Sequence, residues 1–381
     1  MLSQQRSTEI PLALFVAMCL IGAELGQAVV VPVGGLALPA LWPLSGVLVA
    51  ALILADRRRW GMLVASACGA MILSAAVVHG RPVLPSVGLS VIFGFEASAT
   101  AWLVQRTIDR PFALNRVPHT WALAASSALV PIAGGLLAAN VLALTDLSPF
   151  PAAWPAWWLA DAIGMLVTAP MVIAAIAERS AFGRVVRPWK ALEIAIVFIS
   201  GSLVAVSIFG NGLDRLVRVP AYILPFLLWP VLRFGPGGSA AALFVVALVG
   251  LWNAAQGQGP LAVVGMPITD LVLRSQGAMT IAGVSFLLLA SVVAERKRVA
   301  QEYAALVAEL QQALAEIKTL RGFIPICAWC HRVRDDAGFW QQIEKYLDAR
   351  TDATFSHSIC PACEDLAQEE IASHPLSDRP S

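Results

Sequence analysis

The chain has 381 residues, 58% of them apolar and only 13% charged, with 26 Lys plus Arg against 25 Asp plus Glu. Soluble proteins carry about a quarter charged residues, so an ordinary soluble protein is excluded, and the even balance of charge leaves no basic stripe for nucleic acid. Six cysteines in this length make no disulfide scaffold, and four of them fall near the carboxyl end.

Charge is spread unevenly: residues 1–294 hold 27 charged side chains, about 9%, whereas 295–381 hold 24, about 28%. A membrane block is therefore followed by a water-soluble tail. A membrane helix needs about 20 apolar residues, because every backbone polar group must be satisfied within the segment. Ten stretches meet or approach this: 11–31, 37–55, 60–79, 84–104, 120–143, 157–177, 190–209, 219–232, 238–255 and 277–294. The eighth is short and carries Pro220, Pro225 and Pro230, which gives a range of eight to ten spans. The expected fold is an all-α polytopic membrane protein in three parts: the helical block over 1–294, a coiled-coil linker over 295–322 and a small zinc-stapled module over 323–366. A disordered tail over 367–381 would follow.

Lys and Arg are retained on the cytoplasmic side. One set of alternate connections holds 15 basic residues, including Arg57, Arg58, Arg59, Arg106, Arg184 and Lys297; the other holds four, Arg81, Arg215, Arg218 and Arg274. Both termini are expected in the cytoplasm of a bacterium, with the chain in its inner membrane. Ionisable residues inside spans need partners or a wet cavity, and Glu24, Glu96 and Asp161 are the candidates, with Glu193 nearer a span end. The competing reading makes each a protonated or hydrogen-bonded contact between helices. Cys19 and Cys68 read as packing residues. Trp42, Trp157 and Trp158 flank spans, where interface anchoring suffices to explain them.

Three runs carry a likeness. They are Leu41-Trp42-Pro43-Leu44-Ser45-Gly46, then Trp157-Trp158-Leu159-Ala160-Asp161-Ala162-Ile163-Gly164-Met165 with Pro170, then Leu232-Arg233-Phe234-Gly235-Pro236 with Gly257-Gln258-Gly259-Pro260. In this order they resemble the first class of the MASE family, the membrane-associated sensor domains of bacterial signalling proteins, over roughly residues 12–294. The resemblance implies a multi-helix input module and adds Trp42 and Arg233 to Glu24, Glu96 and Asp161 as candidates for sensing a ligand. Such modules usually precede a diguanylate cyclase, phosphodiesterase or histidine kinase. No Gly-Gly-Asp-Glu-Phe run, Glu-Ala-Leu signature or kinase glycine box occurs here, and the 87 residues after the last expected span would not hold those domains. No catalytic residues are expected.

From Val299 the apolar positions are Tyr303, Leu306, Leu310, Ala313, Ile317, Leu320 and Ile324, alternating steps of four and three, the seam of a coiled coil. A parallel homodimer through 299–324 follows, with an amphipathic helix packed on its own chain as the alternative. Gly322 and Pro325 punctuate its end.

Cys327-x-x-Cys330 and Cys360-x-x-Cys363 present four thiolates in two knuckles, with His331 and His357 nearby. The spacing fits a tetrahedral structural zinc, His357 being able to replace one thiolate. The other reading is a reversible disulfide that senses oxidants. Between the knuckles, Phe339, Trp340, Ile343, Tyr346 and Leu347 predict a short helix burying an aromatic face. The run from Leu320 to Cys363 resembles a short carboxy-terminal extension of bacterial receiver, PAS and GAF sensor proteins, with Trp329 and His331 departing from its pattern. That likeness implies signalling context without catalysis.

The sequence therefore reads as an inner-membrane sensor without a catalytic output domain, in contact with the lipid bilayer, and relaying a stimulus to a cytoplasmic signalling protein. A transporter, with Glu24, Glu96 and Asp161 along a substrate path, is the rival reading.

Overall fold

Apolar runs this long can only satisfy their backbone as helix, and helix dominates the structure, a computed structural model that describes residues 10–33, 36–109, 111–179, 188–210, 220–316, 324–335, 337–350 and 354–373. Two compact units meet between Gln301 and Glu302.

The first unit opens with α1, Leu12–Ala28. Here the chain leaves the helix, because Val29, Val30, Val31 and Val33 are β-branched and stiff at χ1. Strand β1 (Val30–Val33) pairs antiparallel with β2 (Leu36–Pro39), Val31 lying opposite Leu38. Helix α2 (Pro43–Leu54) follows, with Pro43 pre-set for its first turn. Then come a 3-10 turn (Arg57–Arg59), α3 (Trp60–Ile72), a π-helical turn (Leu73–Val78), α4 (Val83–Thr107), α5 (Val117–Leu144), α6 (Phe150–Arg179), α7 (Pro188–Phe209), a 3-10 turn (Pro220–Ile223) and α8 (Leu224–Ala255). Helix α9, Ile268–Glu316, has 49 residues and crosses from the first unit into the second.

The expectation of an all-α chain is corrected by the β1–β2 hairpin, which falls at the end of the first expected span and the start of the second. Both spans are shorter as helices than expected, 17 residues in α1 and 12 in α2. The eighth and ninth expected spans are the two arms of one element, α8, which breaks at Gly235, within the residues 233–237 expected to separate them. There φ is +70°, a left-handed value that only glycine adopts without strain, and Pro236 follows. Among the described residues, seven helical segments are long and apolar enough to cross a membrane, with α1 and α2 as shorter apolar helices.

Helix α2 sits at the centre of the first unit. Every residue from Pro43 to Ile53 is buried, and α1, α3, α4 and α6 pack around it. A helix apolar on all sides belongs in an interior. Its contact with α6 brings backbone against backbone: a Cβ on Gly164 would collide with the Trp42 carbonyl, so only glycine fits. The hairpin's carbonyls are satisfied by side chains from elsewhere. Ser148 Oγ donates to Val33, Thr269 Oγ1 to Pro32 and Gln276 Nε2 to Ala40, each at 2.8 Å. These bonds supply what the missing third strand would.

The second unit contains the remainder of α9, strands β3 (Val333–Arg334) and β4 (Trp340–Gln341), and helices α10 (Ile343–Asp348) and α11 (Pro361–Ser373). β3 pairs antiparallel with β4, and Ile326 bridges Val333. The expected aromatic helix is shorter than its pattern: Tyr346 on α10 and Val333 are buried, while Trp340 lies in a strand and it and Phe339 are exposed. α11 covers residues 367–373, the first part of the segment expected to be disordered. Ile317 and Leu320 of the expected seam lie outside the described residues.

Candidate functional site

Two carboxyl groups meet inside the first unit. Glu96 comes from α4 and Asp161 from α6; they are 0% and 2% exposed and their side chains face each other. Burying such groups costs several kcal/mol each unless they are paired, so their surroundings decide what they can do. Trp157 Nε1 donates to Glu96 Oε2 at 3.3 Å. On the opposite side α5 supplies Gly134, where a Cβ would fall within the Glu96 carboxyl. Space for Glu96 is thus made by the absence of a side chain. Around Asp161, the N–H of Trp42 donates to the Ala160 carbonyl at 3.2 Å, and Ser45 Oγ donates to the Trp42 carbonyl at 2.7 Å.

Several polar atoms here remain without a hydrogen-bond partner: Glu96 Oε1, Asp161 Oδ1 and Trp42 Nε1. An unpaired buried donor or acceptor costs about 1–3 kcal/mol, and folded proteins keep few of them. Trp42 and Asp161 both line a cavity that gives about 50 Å³ to the centres of water-sized spheres. Trp157, Met71, Gln27 and Arg81 complete its chemically distinctive wall.

Arg81 lies in the connection between α3 and α4. The π-helical turn before it widens the end of α3, a device frequent at functional sites, and the Arg81 N–H closes on the Ala75 carbonyl at 2.9 Å. Its Nη2 donates to Gln27 Oε1 at 2.7 Å and to the Ala37 carbonyl at 3.0 Å. No carboxylate lies within ion-pair distance of it among the described residues, and burial pulls its guanidinium below the usual arginine value. Beside it, Ser74 Oγ donates to Glu24 Oε1 at 2.7 Å, and His79 Nε2 lies 3.1 Å from Glu24 Oε2.

The structure thus brings together Glu96, Asp161 and Trp42 from the sequence-derived candidates, and places Glu24 with Ser74 and His79 rather than on the cavity wall. Arg233 is elsewhere: its Nε and Nη2 hold Glu193 at 2.8 and 3.2 Å, a bidentate pair joining α7 to α8. The anchor reading is corrected for Trp42, while Trp157 and Trp158 are partly exposed and have indole partners within the bundle. Trp42 is 5% exposed and lines the cavity, Trp157 reaches Glu96, and Trp158 Nε1 donates to the Ala128 carbonyl at 2.8 Å. Buried indole N–H groups seek such acceptors. Gln27, Arg81 and Gly134 were not singled out by sequence. The one available signal was a lone arginine in the short run His79-Gly80-Arg81-Pro82 between two apolar stretches.

In the second unit the Cys327 knuckle sits on the turn leading into β3. The Cys327 N–H donates to the Arg332 carbonyl at 2.9 Å and the His331 N–H to the Cys327 carbonyl at 3.0 Å, while the Cys363 N–H donates to Cys360 at 3.0 Å. The backbone N–H of Cys330 is the main group holding the Cys327 thiol below the usual cysteine value, and that of Cys363 does the same for Cys360. Thiolate character is what a soft metal requires. Each pair closes on itself, but among the described residues no three of the His, Cys, Asp and Glu side chains gather closely enough to hold an ion. The two knuckles are not joined in this structure, and His357 is exposed.

Neither curated proteins nor solved structures return a match to this sequence. The family model described as MASE1 matches residues 9–297, the part of the chain that builds the helical bundle and its buried carboxyl pair. With most of its length so matched, the chain is a membrane protein that belongs to the MASE1 family of membrane sensor input domains.

Proposed function

We propose that the chain is an inner-membrane signal-input protein that detects a small molecule in the cavity lined by α1, β2, Trp42, α3, α4 and α6 and relays its presence along α9. Both termini face the cytoplasm in this reading, which counts the two arms of α8 on either side of Gly235 as separate spans and so sets 15 basic residues in one set of connections against four in the other. The observation that carries it is the course of α9. Its Gln276 holds the Ala40 carbonyl, two residues before the cavity-lining Trp42, and the same helix runs to Glu316. At about 1.5 Å per residue, it is roughly two and a half times as long as a bilayer core is thick. Along its far part Val299, Tyr303, Leu306 and Leu310 are all more than half exposed. Such an apolar stripe at steps of four and three is what a second copy would cover.

A ligand shifts this protein only if its affinity differs between two arrangements of the bundle. A parallel pair of α9 helices would convert that difference into a change of register or separation at the cysteine module. The module is proposed to be stapled by one zinc ion through Cys327, Cys330, Cys360 and Cys363, which requires the two knuckles to close on each other. It acts as a surface that recruits a separate signalling protein, and the chain itself performs no catalysis. Partner capture from membranes tests this. The full chain and its fourfold Cys→Ser variant at these positions should retain different protein sets; identical sets overturn the recruiting role.

A further inference from the structure

Resting on the reading of the bundle as the detecting part, the structure also bears on what is detected. The cavity offers two complementary groups with no protein counter-charge between them. On one side stands Asp161, 2% exposed, with Oδ1 unpartnered, beside the unpartnered indole N–H of Trp42. On the other stands Arg81, whose only side-chain donations among the described residues, to Gln27 and Ala37, are made through Nη2 to neutral oxygens. The wall between them includes the rings of Trp42 and Trp157 and the thioether of Met71. Indole faces attract cations, and a guanidinium fork matches a carboxylate or phosphate. The two do not form an ion pair with each other: Asp161 faces a second carboxyl, Glu96, Arg81 bonds only neutral oxygens, and both residues line the same small space.

We propose that this cavity binds a small zwitterion, its primary ammonium on Asp161 between the tryptophans and its anionic group on Arg81. The roughly 50 Å³ open to water-sized centres suits a ligand of few atoms. Two sources share this chemistry: a free amino acid, and the head group of an ethanolamine phospholipid entering from the bilayer.

The test uses the purified full chain in phosphatidylcholine nanodiscs, with thermal stability and tryptophan emission as readouts. In one arm each of the twenty proteinogenic amino acids, β-alanine and γ-aminobutyrate is added singly; in the other, phosphatidylethanolamine is incorporated. Stabilisation in the first arm assigns a soluble zwitterion, and in the second a lipid head group. Ethylamine and propionate, each carrying one of the two charges, should do neither. Arg81→Gln and Asp161→Asn should each weaken binding by about thirty-fold or more, as expected for removing one partner of a buried charge pair, and Arg81→Lys should restore part of it. Silence in both arms, or equal stabilisation by ethylamine or propionate, overturns the zwitterion assignment. The Arg81 variants lie in a connection outside the helix core, and the analogue comparison needs no variant, so a misfolded Asp161→Asn chain would not obscure the result. Binding is read on the full chain without any partner protein present, so its loss is separable from a failure of the relay, which partner capture reports.

Discussion

Gly134→Ala places a methyl group where the Glu96 carboxyl now lies, and its consequence can be worked from the geometry. Overpacking of this kind costs about 1–3 kcal/mol. Moving Glu96 also breaks its bond from Trp157, and an unsatisfied buried group adds about 1–3 kcal/mol. Against this, alanine improves helix propensity by about 1 kcal/mol over glycine. The net expectation is a loss of about 1–5 kcal/mol. Gly69→Ala in α3, where a Cβ meets nothing, isolates the propensity term and should be neutral or stabilising. Unfolding can be followed by exposure of Cys19, 0% exposed in the native chain, with a thiol-reactive dye after the partly exposed Cys68 is replaced by alanine and the four tail cysteines by serine. Gly134→Ala should lower the midpoint by several degrees, and adding Glu96→Ala should recover part of the loss, with a coupling of about 1 kcal/mol or more. If Gly134→Ala behaves like Gly69→Ala, and the double variant is additive, Glu96 does not occupy the space that Gly134 leaves, and the site as described is wrong.

Gly235→Ala forces a Cβ into a left-handed conformation, costing about 1–2 kcal/mol; a midpoint unchanged in the same assay would mean that α8 is not broken there. Cysteine placed at Leu306 or Leu310 should cross-link between copies in membranes more readily than at Gln301 or Ala308, off the seam, and equal yields at all four positions would argue against a dimer. Because the Cys327 and Cys360 thiols titrate below the usual cysteine value, their alkylation in metal-stripped protein should reach half its maximal rate at a lower pH than a free cysteine, which titrates near about 8.5. A profile matching free cysteine removes the backbone N–H effect. Adding zinc should slow alkylation of all four tail cysteines together, whereas protection of one knuckle alone would contradict a shared ion.

The division between membrane block and tail was legible in the sequence because hydrocarbon tolerates few charges, and that constraint acts on composition directly. The same arithmetic located Glu96 and Asp161 as anomalies, since a carboxyl in an apolar run is conspicuous whatever it touches. The hairpin was hidden by its own apolarity: Val30, Val31 and Val33 read equally as the end of a span, and a period-two run this short is indistinguishable from helix by hydropathy alone. Gly134 became informative only when α5 was laid against α4, because a missing side chain has meaning only beside the group that fills its place.

What the order of residues determined by itself was solvent: which stretches leave water, and which residues are costly once there. What only the tertiary structure decided was partnership. Arg233 finds Glu193 and leaves the list of free charges, while Arg81, counted at first as one loop cation among four, is left facing the same small space as Asp161. The physical reason is that burial is a property of a segment, whereas the pairing of a charge depends on distances of a few ångströms between residues far apart in the chain.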